Sequence, residues 1–114
     1  HLVYDDFAHH PTAIEAVSEA VKSKYASKMI GIIELASNTM KSGRHGNALI
    51  DSTKNFDRIY FLDHENTLND ANSFSSLEKI IDDLKKVICD YETIIIMTNK
   101  DSQIISREII KLCN

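Results

Sequence analysis

The run Met29-Ile30-Gly31-Ile32-Ile33 decides the fold. It is short, continuous and apolar, which is typical of a strand buried on both faces of a parallel sheet. Outward from it, the same pattern returns at Ile59-Tyr60-Phe61-Leu62 and at Thr93-Ile94-Ile95-Ile96-Met97. An extended segment, Leu2-Val3-Tyr4-Asp5, lies at the start of the chain. These four segments are the predicted strands.

Helical patterns separate the predicted strands. Pro11 suits the first turn of a helix, where its missing N–H has no partner to lose. The apolar residues that follow it at helical spacing are Ile14, Val17, Val21 and Tyr25. A polar loop from Ser37 to Gly46 then leads into a weaker predicted helix around Ala48-Leu49, which ends near Asn55.

A third helix is predicted after a polar loop from Asp63 to Ser73. Ser75 and Glu78 have the spacing of a capping box at its start. Its apolar stripe consists of Leu77, Ile80, Ile81, Leu84, Val87 and Ile88. A last helix, capped by Asp101 or Ser102, has the apolar face Ile105, Ile109 and Leu112. Cys89 and Cys113 lie within these apolar patterns, so we expect both to be packing residues.

Strands and helices therefore alternate in the order βαβαβαβα. This alternation predicts an α/β fold, a three-layer Rossmann-like domain whose mainly parallel sheet has helices on both faces. With 114 residues, the chain is expected to form a single domain spanning residues 1–114. We also expect the first and fourth predicted strands to flank the switch point of the sheet.

The composition argues against several classes of function. Thirteen basic against seventeen acidic residues give a net charge of −4, which argues against a nucleic-acid partner bound by bulk charge. No apolar stretch is long enough to cross a bilayer, so we expect no membrane span, and we expect no signal peptide either. The sequence also lacks the P-loop motif that holds nucleotide phosphates. Without a CxxC pair, a reducing cytoplasm is the expected compartment.

Polar residues gather where the predicted strands end. Ligands of parallel α/β sheets bind at the carboxyl ends of the strands. The four segments at those ends are Asp5 to His10, Glu34 to Gly46, Asp63 to Asn72, and Thr98 to Ser102. We therefore expect the functional site at this edge of the sheet.

The first of these segments is the densest in chemistry. Asp5-Asp6-Phe7-Ala8-His9-His10-Pro11 places two carboxylates and two imidazoles between a strand and a helix. The carboxylates could accept from ribose hydroxyls, and the imidazoles could bind a carboxylate or move a proton near neutral pH. Alternatively, Asp5 or His10 only caps the helix. A third interpretation is a metal site, for which the candidate ligands are Asp6, His9, His10, His45 and His64, although no known metal-binding motif is present.

The second segment, Ser37-Asn38-Thr39-Met40-Lys41-Ser42-Gly43, directly follows a buried strand. Lys41 could pair with a phosphate or a carboxylate, or be an ordinary surface lysine. The segment from Thr98 to Ser102 could be only a helix cap.

Two of these motifs resemble a known family. Tyr4-Asp5-Asp6-Phe7-Ala8-His9-His10-Pro11-Thr12 closely resembles the opening of the C-terminal domain of Mur ligases, which assemble the peptide stem of peptidoglycan. Ser37-Asn38-Thr39-Met40-Lys41 with Gly43 is similar to the second motif of the murein peptide ligases within that family. The related UDP-N-acetylmuramate–L-alanine ligases share the first motif but have a different, His- and Arg-rich second one.

The resemblance implies a function. Murein peptide ligases join recycled L-alanyl-γ-D-glutamyl-meso-diaminopimelate to UDP-N-acetylmuramate through an acyl phosphate, using ATP and Mg²⁺ as cofactors. Three domains share the work, so this chain would be a fragment whose partners are the N-terminal and central domains of the same bacterial cytoplasmic enzyme. The P-loop belongs to the central domain, so the isolated domain is expected to be inactive and to contain no catalytic residue of its own.

The resemblance also implies roles for individual residues. Asp6 matches an aspartate that contacts the nucleotide. The residues expected to contact the substrate are His9, His10, Ser37, Asn38, Thr39, Lys41 and Thr98. None of these residues is expected to bind a metal ion. Their contribution would be positioning and electrostatic stabilisation, not covalent catalysis.

Two departures from the family pattern support an alternative function. The family usually has Pro-Arg before the second motif, where this chain has Leu35-Ala36. The family's last strand runs into a glycine-rich turn, whereas the segment from Thr98 to Ser102 has no glycine. The alternative is a stand-alone or degenerate α/β module that binds cell-wall peptides or nucleotides without catalysis, and a metal-dependent hydrolase is a third hypothesis.

Overall fold

The computed structural model describes residues 2–6, 11–25, 28–34, 45–63, 71–98 and 103–113. The strands are β1 (Leu2–Asp6), β2 (Met29–Glu34), β3 (Arg58–Leu62), β4 (Ser73–Phe74) and β5 (Thr93–Met97). The helices are α1 (Pro11–Tyr25), α2 (His45–Asp51), α3 (Leu77–Val87) and α4 (Gln103–Cys113), and a 3₁₀ turn at Ile88–Asp90 extends α3. The four predicted strands and the four predicted helices are all present in this part of the chain.

The strands form one sheet in the order β1-β5-β2-β3-β4. All four neighbouring pairs are parallel. The first and fourth predicted strands, β1 and β5, are direct neighbours. Helix α1, which follows β1, packs on one face of the sheet, whereas α4, which follows β5, packs on the other face. The switch point of the sheet therefore lies between β1 and β5.

Apolar side chains cover both faces of the sheet, as the continuous apolar runs predict. In β2, Ile30 and Ile32 pack on the side of α3 and α4, whereas Met29 and Ile33 pack on the side of α1 and α2. Each of these four side chains is fully buried. The three-layer arrangement is therefore confirmed, with the central strands inaccessible to solvent from either side.

Gly31 lies at a close approach on the α1/α2 side. A Cβ atom at this position would come 2.6 Å from Cδ1 of Ile59 and 2.8 Å from the ring of Phe56. Real Cβ atoms do not approach carbon atoms this closely, so these two side chains occupy the space that any larger residue would need.

The segment predicted as a loop from Asp63 to Ser73 ends in a short strand, which the sequence analysis missed. The amide of Phe61 donates to the carbonyl of Asn72 at 2.9 Å, and the amide of Asp63 donates to the carbonyl of Phe74 at 2.8 Å. Two residues are too few to produce an alternating pattern, so only their pairing with β3 identifies them as a strand.

Three local predictions need correction. The N-cap of α3 is Ser76, whose Oγ accepts from the amide of Lys79 at 3.4 Å, and not Ser75. Helix α2 begins at His45, inside the predicted loop. Cys89 is exposed, since the core position of the 3₁₀ turn is taken by Ile88, so packing of Cys89 was wrongly predicted.

Polar contacts tie the helices to the amino edge of the sheet. Oδ2 of Asp57 accepts from the amide of Met29 at 2.8 Å and lies 3.4 Å from Nζ of Lys22. These contacts join α1 to the starts of β2 and β3. On the other face, Arg58, Tyr60 and Asp83 form a hydrogen-bonded network between β3 and α3.

Candidate functional site at the carboxyl edge of the sheet

The carboxyl ends of the parallel strands meet at one edge of the sheet. Asp6 ends β1 opposite Met97 of β5, and Met97 in turn lies opposite Ile33 of β2. Glu34 ends β2 opposite Leu62 of β3. Because crevices for ligands form at this edge, the residues that end β1, β5, β2 and β3 define the candidate site.

Glu34 and Thr98 are joined at the centre of this edge. The Thr98 hydroxyl donates to Oε1 of Glu34 at 2.6 Å. The register explains the contact, since Ile33 lies opposite Met97 and the next residue of each strand is therefore brought alongside the other. Glu34 is 9% exposed and Thr98 is 1% exposed. The hydrogen bond is therefore shielded from solvent and links the ends of β2 and β5.

Asp63 is a second buried carboxyl residue at this edge. It directly follows β3 and is 2% exposed. Its amide donates to the carbonyl of Phe74, so the backbone at this point also holds β4. Burial of two carboxyl side chains next to the ends of apolar strands is unusual, because a buried carboxyl group needs hydrogen-bond donors.

The structure describes only part of the predicted site. Asp6 ends β1, as expected, and its backbone lies level with Met97, one residue before Thr98. Thr98 is buried and hydrogen-bonded to Glu34, and its contact with substrate stays a prediction. The other predicted contact residues lie outside the described residues, and they are His9, His10, Ser37, Asn38, Thr39 and Lys41.

Sequence reasoning placed Glu34 and Asp63 in the right segments but gave neither a role. A usable signal was present, since each is the first acidic residue after a buried apolar run and so falls at the carboxyl end of a strand. What the sequence could not supply was the neighbour of Glu34, because Thr98 is far along the chain and the order of the strands was unknown.

The metal hypothesis has little support in the described part of the chain. Among the described residues, no group of three or more His, Cys, Asp or Glu side chains is arranged to hold a metal ion. His45 begins α2 and His64 lies outside the described residues, as do His9 and His10. The described helices also include none that is long and apolar enough to cross a membrane.

A groove of about 770 Å³ lies beside this edge, between the first halves of α3 and α4. Its apolar lining comes from Leu77, Ile81 and Ile104, and its charged lining comes from Glu78, Asp82, Lys85 and Glu108. With three carboxylates and one ammonium group, the lining of the groove has a net negative charge, which repels anions. The groove is therefore unsuited to a phosphate-bearing ligand.

Comparison with known proteins identifies the family. The sequence model of the family described as "Mur ligase, glutamate ligase domain" matches residues 1–109 of the chain. The chain belongs to the Mur ligase family. It corresponds to the C-terminal domain of Mur ligases, so the resemblance inferred from the two motifs is confirmed.

Individual Mur ligases are similar to the chain over different lengths. A UDP-N-acetylmuramate–L-alanine ligase of Hydrogenobaculum sp. is 35% identical over 79% of the chain and 20% of its own length. An Escherichia coli UDP-N-acetylmuramate–L-alanyl-γ-D-glutamyl-meso-2,6-diaminoheptandioate ligase is 44% identical over 53% of the chain and 14% of its own length. The chain thus spans at most about a fifth of the length of these Mur ligases.

A solved Mur ligase has the same fold. The crystal structure of a murein peptide ligase from Psychrobacter arcticus superposes with a TM-score of 0.78 and 30% identity. The match covers 98% of this chain and 27% of that chain. The parallel sheet with helices on both faces is therefore the fold of a Mur ligase C-terminal domain.

Proposed function

We propose that this chain is the amine-positioning domain of an ATP-dependent amide ligase that joins a murein tripeptide to UDP-N-acetylmuramate in peptidoglycan recycling. The observation that carries the proposal is the Mur ligase family match over residues 1–109. The likeness to a murein peptide ligase over 98% of the chain supports the tripeptide as the amine substrate. The Ser37-Asn38-Thr39-Met40-Lys41 motif supports the same substrate.

The nucleotide is assigned mainly to other domains of the same enzyme. Mur ligases depend in general on ATP and Mg²⁺, which activate the carboxylate that the amine attacks. The residues described here do not fit a Mg²⁺–ATP site, since they contain no cluster of metal ligands, and the sequence has no P-loop motif. In the proposal, only Asp6 contacts the nucleotide, and the N-terminal and central domains hold its phosphates, the metal ion and the UDP-sugar.

The contribution of this chain is to hold the amine substrate in place. Fixing two reactants in the right geometry removes much of the entropic barrier of a bimolecular reaction. The predicted contacts suit an anionic peptide, because Lys41 and the imidazoles of His9 and His10 can bind carboxylates. Since the proposed substrates include ATP and a UDP-sugar made inside the cell, the proposal places the protein in the bacterial cytoplasm.

L-Alanine is the second candidate for the amine. The match to the Hydrogenobaculum L-alanine ligase covers more of this chain than the match to the Escherichia coli tripeptide ligase, 79% against 53%. The chain also lacks the Pro-Arg pair before the second motif, where it has Leu35-Ala36. Both candidates use the same amide-forming chemistry and differ in the size and charge of the amine.

The experiment that tests the proposal begins with the native polypeptide that contains this chain. Its intact mass is measured first, and the purified protein is then incubated with UDP-N-acetylmuramate, ATP, Mg²⁺ and either the tripeptide or L-alanine. We expect a three-domain mass, phosphate release and the UDP-linked tripeptide product, detected by mass spectrometry. Residues 1–114 alone serve as the control and are expected to give no product.

Three outcomes would contradict the proposal. A product formed with L-alanine but not with the tripeptide would favour the second candidate. Turnover by residues 1–114 alone would contradict the assignment of the nucleotide phosphates to other domains. A native mass close to that of this chain, with peptide binding but no ligation, would favour the non-catalytic binding module.

A further inference from the structure

The hydrogen bond between Glu34 and Thr98 joins two of the strands whose carboxyl ends are predicted to form the functional site. Residues 35–44 follow β2 and contain the second motif, and residues 99–102 follow β5. The Thr98 hydroxyl reaches Oε1 of Glu34 at 2.6 Å, and both side chains are buried. The contact therefore fixes the relative position of the two strand ends.

We propose that Glu34 is a positioning residue for the amine substrate, acting through Thr98 on the ends of β2 and β5. This inference rests on the proposed function, since it concerns the same site. Glu34 is not a catalytic residue in this assignment, because its burial keeps it from the reacting atoms. Its effect is to hold the end of β2 at a set distance from the end of β5.

Position and chemistry both favour this role over a purely structural one. The contact is one residue beyond the last paired row of β2 and β5. It is therefore not needed to align the strands, because the five paired rows of Met29–Ile33 against Thr93–Met97 already do so. Burying a carboxyl group also costs free energy unless the group keeps its hydrogen-bond donors. If packing were the only requirement at this position, a pair of apolar side chains would meet it.

The test uses the native ligase with Thr98→Val, Thr98→Ser and Glu34→Met, the last of which removes the acceptor of the Thr98 hydroxyl. Thr98→Val keeps the shape of the side chain and removes the donor, whereas Thr98→Ser keeps the donor. The matched control is Tyr60→Phe, which removes another hydrogen bond of 2.6 Å to a carboxylate, between the middle of β3 and α3. For each variant, kcat and KM are measured separately for the tripeptide and for ATP.

We expect Thr98→Val and Glu34→Met to lower kcat/KM for the tripeptide by roughly 10- to 100-fold, the loss typical of reactants displaced by about 1 Å. KM for ATP should stay within about twofold, and Thr98→Ser should restore most of the loss. The double variant of Thr98→Val with Glu34→Met should lose no more than Glu34→Met alone, because both substitutions remove the same hydrogen bond. Tyr60→Phe should leave both KM values unchanged.

Equal effects of Thr98→Val and Tyr60→Phe on tripeptide kinetics would overturn the proposal, because a general loss of stability would then explain both. Failure of the wild-type protein to ligate tripeptide would instead contradict the proposed function. In that case hydrogen exchange still tests the contact itself. Faster exchange of the amides of Glu34 and Thr98 in Thr98→Val, without faster exchange at Arg58, would support the link between the strand ends, and unchanged exchange would refute it.

Discussion

Arg58 and Asp83 are paired across the layer between β3 and α3, with 2.7 Å between Nη2 and Oδ2. The hydroxyl of Tyr60 donates to the same Oδ2 at 2.6 Å and accepts from Nε of Arg58 at 2.7 Å. The hydrogen bonds from Tyr60 and Arg58 hold the pKa of Asp83 below its usual value. Arg58 begins β3, at the end of the strand away from the candidate site, so the network stabilises the fold without belonging to that site.

The first prediction concerns the hydroxyl of Tyr60. Tyr60→Phe should lower the free energy of unfolding by about 1–2 kcal/mol, because Asp83 and Arg58 each lose a buried partner. Urea denaturation at neutral pH measures the change. The control is Tyr91→Phe, since the Tyr91 hydroxyl makes no hydrogen bond within the described residues, and it should stay within about 0.5 kcal/mol of the wild type. A larger loss in Tyr91→Phe than in Tyr60→Phe would contradict the prediction.

The second prediction is an alkaline loss of stability that depends on Tyr60. Burial, and then the hydrogen bond to Asp83, raise the pKa of Tyr60 to about 12 from 10.0. A pKa raised by folding stabilises the protein below the unfolded-state value and loses that effect as the pH rises through the folded-state value. The stability difference between wild type and Tyr60→Phe should therefore shrink by up to about 2 kcal/mol from pH 9 to pH 12. A difference that stays constant over that range would refute the assignment.

The third prediction concerns the close approach at Gly31. Gly31→Ala should destabilise the domain by about 1–3 kcal/mol, because the added Cβ meets Ile59 and Phe56. Thermal and urea unfolding measure the loss. Ile59→Val removes the atom that would lie 2.6 Å away, so Gly31→Ala should cost less in that background than in the wild type. Simple additivity of the two substitutions would argue against contact between them.

The fourth prediction separates the two candidate caps of α3. Ser76→Ala should destabilise the domain by about 0.5–1 kcal/mol, because the amide of Lys79 loses its acceptor. Ser75→Ala is the matched control, since it removes the neighbouring hydroxyl, which among the described residues accepts from the exposed Nζ of Lys79 and from no backbone amide. Its effect should be smaller. Urea denaturation measures both losses of stability. A larger loss for Ser75→Ala than for Ser76→Ala would indicate that Ser75 is the N-cap.

The fifth prediction divides the site between two substrates. In the native ligase, Asp6→Asn should raise KM for ATP by roughly tenfold and leave KM for the tripeptide unchanged, whereas Lys41→Ala should do the opposite, since one lost charge-assisted hydrogen bond is worth about that much. Steady-state kinetics with each substrate varied in turn supply both values. An effect of Asp6→Asn confined to the tripeptide would exchange the two roles.

The elements of the fold could be predicted because they depend on local pattern. The run from Met29 to Ile33 is apolar at every position except the small Gly31, and only a strand covered on both faces can bury all of it. Pro11 marks the start of α1 for an equally local reason, because a proline has no N–H and the first turn of a helix needs none at that position. The short β4 could not be found in this way, since its identity as a strand comes from β3 and not from its own residues.

The sequence by itself determined the family, through the motif around Asp6 and the alternation of strands and helices. Both features can be recognised in short stretches of sequence, because they depend only on neighbouring residues. The tertiary structure decided which strand ends are neighbours. It placed β5 between β1 and β2, and so brought Thr98 to Glu34 across 64 positions of chain. Such a contact depends on the order and register of the strands, which are set by packing of the whole sheet against its helices and leave no mark on either residue alone.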